Sequence, residues 1–165
     1  MSSIIKNILM ASLAILLASS LGLCTVVINE VELSPPDNGT KWVELYNTGD
    51  VAADITGWTV TIVDGPWTGP IGLKGSIEPK GFYVAEGDPR WVQSINGTVS
   101  LTDSVGNIVD KTPALNDPGH NDFTWSRIPD GKNTGTTADF AFVMGTKGRS
   151  NGGSGGRPIV LGSTH

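Results

Sequence analysis

Glu30, Glu32 and Glu44 are the residues whose type best suits chemistry, since hydrolysis by a paired acid and base needs two carboxyls held a few ångströms apart on facing elements. Glu30 and Glu44 fall in successive strand-like segments, so they are the pair that neighbouring strands would bring together. The same groups have a structural use, as acceptors for loop amides or as partners of Lys41, and that use is the expected one. Nucleophilic catalysis has little to draw on. The only histidines are His120, in the loop Asn116 to Asp122, and His165 at the last position, and there is no Gly-x-Ser-x-Gly turn. No catalytic residue is assigned.

Metal chemistry is limited by ligand supply. One cysteine and two distant histidines cannot close a tetrahedral zinc site. Oxygen ligands for calcium could come from Asp117 with Asp122, or from Asp103 with Asp110, but neither spacing is that of a calcium loop, so no metal and no cofactor is expected. Two tryptophans stand outside the clear strand patterning. Trp67 lies in the polar loop Gly65 to Gly69, and Trp91 follows Asp88-Pro89-Arg90. Each is a candidate ligand contact for a sugar ring or a partner surface, or a lid over one end of the fold. Asn38-Gly39-Thr40 and Asn96-Gly97-Thr98 are glycosylation sequons and also Asn-Gly turns, which place Asn38 and Asn96 in exposed loops.

The elements that must position these side chains are strands. After residue 24 the apolar residues alternate with period two in short runs closed by Gly, Pro, Asn or Asp, and no long 3.6-residue stripe occurs. Thr25 to Leu33 ends at Ser34-Pro35-Pro36-Asp37-Asn38-Gly39, a turn cluster. Lys41 to Asn47 carries Val43 and Leu45 on one side and Trp42, Glu44 and Tyr46 on the other, which predicts one buried and one wet face. Trp58, Val60 and Ile62 share one register and should face the core, and Asp64 to Pro70 is expected to be a loop. Further strands are predicted from Ile71 to Ile77, at Phe82 to Ala85, Ser94 to Leu101, Val105 to Asp110, Thr124 to Ile128 and Phe140 to Met144. About eight or nine strands with frequent turns predict an all-β sandwich.

The N-terminal residues speak of a compartment. Lys6 precedes an uncharged apolar run from Ile8 to Leu17 and small residues at Ala18, Ser19, Ser20 and Gly22, which reads as a secretory signal peptide over 1–24. Retention of the same span as an anchor is the alternative, and Cys24, the sole cysteine, is a candidate lipidation site although the large Leu23 precedes it. Removing 24 of 165 residues leaves 141 and takes away only Lys6 among the charged side chains. The remaining balance of 10 basic to 16 acidic, net −6, argues against duplex nucleic acid as a partner. With no second cysteine, no disulfide can tie the domain, so packing must stabilise it.

From Gly145 the chain turns glycine-rich, and 148–165 reads as a linker ending in a short apolar strand at Ile159, Val160 and Leu161. These three residues are candidates for pairing with a sheet edge, in the same or a neighbouring molecule.

Val27-Ile28-Asn29-Glu30-Val31, Lys41-Trp42-Val43-Glu44-Leu45-Tyr46-Asn47 and Asp54-Ile55-Thr56-Gly57-Trp58 together resemble a lamin tail domain. Ile77-Glu78-Pro79-Lys80-Gly81, the hairpin Ser104 to Asp110, and Ser126-Arg127-Ile128-Pro129-Asp130-Gly131 followed by Thr146 to Asn151 extend the likeness in order. The resemblance covers about Val26 to Asn151 and implies an immunoglobulin-like β-sandwich, here 25–147, without catalytic activity. It also implies the company of secreted and surface proteins of bacteria and archaea. The function expected is an exported interaction or structural module, extracellular or on the cell surface, with a protein or a cell-surface polymer as partner. A carbohydrate-binding or hydrolase-accessory module, and a filament or layer subunit assembled through the C-terminal strand, are the alternatives. Contact with a membrane is expected only through an uncleaved signal or a lipid anchor.

Overall fold

The computed structural model describes residues 25–37, 39–91 and 95–152. Asn38, Cys24, Ile159, Val160 and Leu161 lie outside them, as does the whole proposed signal. In chain order the strands are β1 (Val26–Glu32), β2 (Trp42–Asn47), β3 (Ala53–Asp54), β4 (Thr59–Asp64), β5 (Trp67–Gly72), β6 (Ser76–Ile77), β7 (Phe82–Glu86), β8 (Asn96–Thr102), β9 (Ile108–Lys111), β10 (Leu115–Asn116), β11 (Phe123–Arg127) and β12 (Phe140–Met144). A single turn of 3₁₀-helix, Thr137–Asp139, precedes β12.

One sheet has the order β12-β11-β1-β2-β7, the other β10-β8-β4-β5 with β9 also on β8, and β3-β6 form a separate ribbon. Val26, Ile28, Val31, Leu33, Val43 and Leu45 of the first sheet meet Val60, Ile62, Val99 and Leu101 of the second in one fully buried core. The excess over eight or nine strands comes from β3, β6 and β10, each two residues long.

The phase of β1 is what matters for function. Its core-facing residues are Val26 and Ile28, then Val31 and Leu33, because a bulge between Ile28 and Glu30 inserts Asn29 and moves the alternation by one. Glu30 then stands opposite Glu44 on β2, on the face away from the core. That face was expected to be wet and is not. Glu30 and Glu44 are wholly inaccessible to solvent and Trp42 is nearly so, because residues 145–152 fold back over them. The glycine-rich stretch therefore belongs to the domain at least to Gly152 and does not begin a linker at 145 or 148.

Two other expectations are corrected. Trp67 to Pro70 is strand and not loop, with the turn reduced to Gly65-Pro66. Pro70 is tolerated because β5 is an edge strand, where alternate N–H positions point away from the sheet. Asn96-Gly97 opens β8 and makes no turn. Gly97 is there for packing, since a Cβ on it would lie 3.2 Å from Leu33 Cδ2 and 3.4 Å from Ile62 Cγ2.

Candidate functional site

The covered face of the first sheet holds the candidate acid pair, and every oxygen of that pair has a donor. Glu30 Oε1 accepts from the Thr124 hydroxyl at 2.6 Å and the Thr146 amide at 2.7 Å, and Oε2 accepts from the Thr146 hydroxyl at 3.0 Å. Glu44 Oε1 accepts from Asn29 Nδ2 at 3.1 Å, and Oε2 from the Gly148 amide at 2.7 Å. Gly148 has φ +79°, a left-handed conformation that suits glycine and aims its N–H at the carboxylate. Asn29, the bulge residue, also donates to Asp130 at 2.9 Å and accepts the Gly131 amide at 3.0 Å. Asn151 completes the strap, its amide donating to Asp130 and its side chain to the carbonyls of Asn29 and Arg127. Burial pushes the Glu44 carboxyl up to about 7, against the opposing pull of the Asn29 and Gly148 hydrogen bonds.

A second cluster lies two residues along β1. Glu32 accepts the Ser34 amide at 2.8 Å, and Asp117 accepts the amides of Leu33 at 3.3 Å and Ser34 at 3.0 Å. Burial first, and then the hydrogen bond to Asp117, raise Glu32 to about 8. Asp117 Oδ1 has no donor among the described residues. Lys41 sits in this cluster and not beside Glu30 or Glu44, donating to the Leu33 carbonyl, with its own pKa lowered by burial. His120 meets Ser34 Oγ through Nδ1 at 2.9 Å.

The third cluster joins the two sheets. Arg127 Nη2 meets Asp110 Oδ2 at 3.0 Å, Nη1 meets Asp139 Oδ2 at 3.4 Å, and the guanidinium lies 4.4 Å from the centre of the Phe140 ring. Arg127 Nε donates to the Ile28 carbonyl at 2.6 Å, and Asp110 accepts the Ile28 amide at 2.8 Å. The buried ion pair thus serves both backbone groups of Ile28, beside the bulge where ladder pairing is interrupted. Burial raises the pKa of Asp139, but donors from Thr134 and Thr136 and the charge of Arg127 outweigh it and leave the carboxyl below its usual range.

Three of the four aspartates weighed for calcium have partners within the protein. Asp110 is in the ion pair, Asp103 sits in an exposed turn accepting from Asn107, and Asp117 holds the β1–β2 connection. Among the described residues no three His, Cys, Asp or Glu side chains are placed to hold a metal. Trp67 and Trp91 are half-buried and packed against the core, edge to face at 5.2 Å between ring centres. Trp91 lies across Gly87, where a Cβ would fall 2.4 Å from the indole. Asn96 is exposed and accepts from Asn116 Nδ2 at 2.7 Å.

Sequence reasoning missed Arg127, Asn29, Asp130 and Asn151 as polar ties. The available signal was a charged residue at the end of an otherwise uncharged strand, Phe123-Thr124-Trp125-Ser126-Arg127, and a polar residue breaking the alternation at Asn29.

Two antiparallel sheets closed on one core, with buried polar ties in place of disulfides, define an immunoglobulin-like β-sandwich. Residues 22–115, more than half of the sequence, match the Lamin Tail Domain, and the chain belongs to that family. No curated protein matches the chain. The folded unit extends past the matched span, since β11 lies between β12 and β1 and the strap closes over both glutamates.

Proposed function

We propose that this chain is an exported, non-catalytic interaction or structural module of the cell surface or extracellular space. The observation that carries the reading is the saturation of the Glu30–Glu44 pair. An acid and base for hydrolysis need free oxygens and access to water, whereas these four oxygens take five hydrogen bonds from the protein itself in a solvent-excluded setting. The N-terminal apolar run from Ile8 supports export, and the net charge of −6 after residue 24 supports a partner other than duplex nucleic acid. The protein should leave glycans, esters and nucleic acids uncleaved. Turnover that Glu44→Gln abolishes without moving the melting temperature would refute the non-catalytic part. Retention of the chain in the cytoplasm after fractionation would refute export.

A further inference from the structure

An apolar cleft of about 580 Å³ opens where the 49–53 loop, Trp58 and β9 meet the start of β1. Val51 and Ile108 in its wall are 72% and 66% exposed, so solvent meets two large apolar side chains of the same cleft. Among the described residues β9 pairs with β8 alone, leaving an open strand edge beside the cleft. Asp50, which meets Lys80 at 3.1 Å, and Asp103, which accepts from Asn107, lie in the same wall and leave it acidic by one charge.

We propose that the chain's own C-terminal segment, Arg157 to Leu161, occupies this cleft in cis, with Ile159, Val160 and Leu161 against Val51, Trp58 and Ile108 and with Arg157 at the acidic rim. The inference does not depend on what partner the module has. Residues 153–165 lie outside the described part, but they depart from Gly152, whose position relative to the cleft is set by short contacts. A Cβ on Gly152 would lie 3.9 Å from Pro129 Cα, and one on Gly131 would lie 2.6 Å from Thr48 Cγ2. The Thr48 amide donates to the Thr25 carbonyl at 2.7 Å, and Thr25 and Gly49 line the cleft. The Gly152 and Gly131 contacts, with three Cα steps of 3.8 Å, put Gly49 within roughly 23 Å of Gly152. The seven steps from Gly152 to Ile159 span about 23–25 Å when extended, so the apolar residues arrive where the cleft begins.

Composition matches destination. Arg157 is the sole Lys, Arg, Asp or Glu from 153 to 165, and it immediately precedes the apolar stretch. An extended β-branched segment is what an open strand edge recruits. A tether this short gives the segment a millimolar effective concentration, which favours the molecule's own cleft over that of a second copy.

The test is disulfide trapping in the full-length chain carrying Cys24→Ser. Ile108→Cys with Val160→Cys is compared with Ile128→Cys and Val160→Cys. Ile128 neighbours Pro129 at the root of the tail, so a tail that does not dock would reach it at least as often. The expected result is an intramolecular 108–160 disulfide forming about tenfold faster than the 128–160 control, independent of protein concentration. Adding Ile159→Asp and Leu161→Asp should erase that excess. Should the 108 variant fold poorly, Val51→Cys replaces it. Equal or reversed rates, insensitivity to the two Asp substitutions, or a disulfide formed only between molecules would each overturn the proposal. The last outcome would assign the cleft to a second copy, and equal rates in the unsubstituted tail would show that the tail does not occupy it.

Discussion

Glu30 and Glu32 lie two residues apart on one strand, both inaccessible to solvent, and they solve burial in opposite ways. Glu30 is surrounded by donors: two hydroxyl groups and the Thr146 amide. Glu32 has the Ser34 amide and then another carboxylate, Asp117, so a proton on Glu32 makes up for the missing donor. Both are buried, and their surroundings differ in the N–H and O–H groups that reach them, three for Glu30 and the Ser34 amide for Glu32. The same strand thus carries one carboxylate that fastens the C-terminal strap and one that is part of a proton-sharing pair.

The largest test of this contrast is pH. Burial raises Glu32 to about 8 and Glu44 to about 7 from the ordinary 4.5 of a glutamate, so the folded state holds protons that the unfolded chain releases. A raised folded-state pKa gives stability that is complete below 4.5 and is lost as pH climbs to 7 for Glu44 and to 8 for Glu32. Each group costs about 1.4 kcal/mol for every pH unit in that window. Urea unfolding should therefore show the protein more stable at about pH 5 than at about pH 9. Glu32→Gln, which imitates the protonated side chain, should flatten the upper part of the decline. A profile unchanged by that substitution would remove the proton-sharing side of the comparison.

Glu30→Ala comes next in size. It leaves the Thr146 amide without its acceptor and removes all three hydrogen bonds of Glu30, two of which hold the strap, at an expected cost of about 3 kcal/mol in chemical denaturation. Amide exchange at Thr146 should rise in the same variant, since its N–H is bonded to that carboxylate. A drop below about 1 kcal/mol would mean that the strap is held elsewhere. The smallest effect is expected from Gly148→Ala, where φ of +79° costs an L-residue about 1–2 kcal/mol and displaces the N–H from Glu44. Unchanged melting would separate Glu44 from the strap and leave its hold to Glu30 and to the Asn151 bonds.

Much of the core was legible because alternation reports it directly. Val43 and Leu45, and Val60 and Ile62, face inward as their spacing requires. The fate of the glutamates was not legible. Asn29 shifts the phase of β1 by one residue, and an inserted residue looks the same as any other polar position in a short run. Gly145 to Gly152 was misread for a related reason. Glycine-rich composition marks a linker when nothing needs its amides, and here two buried carboxylates use them. Trp67 was misplaced because Gly65, Pro66, Gly69 and Pro70 suggest a long loop, whereas an edge strand accommodates Pro70.

The sequence by itself determined the all-β class, the family, the absence of a disulfide within the domain and the inward set of apolar residues on either side of the bulge. Those follow from local composition and from period-two spacing, which neighbours along the chain dictate. Only the tertiary structure decided which donors reach the buried carboxylates, which loop covers them and which face of the first sheet is dry. Donors for Glu30 and Glu44 come from residues up to 116 positions away, and Arg127 reaches the Ile28 carbonyl across 99. Electrostatic state in a protein interior depends on such distant neighbours, and they meet only once the sheets have closed.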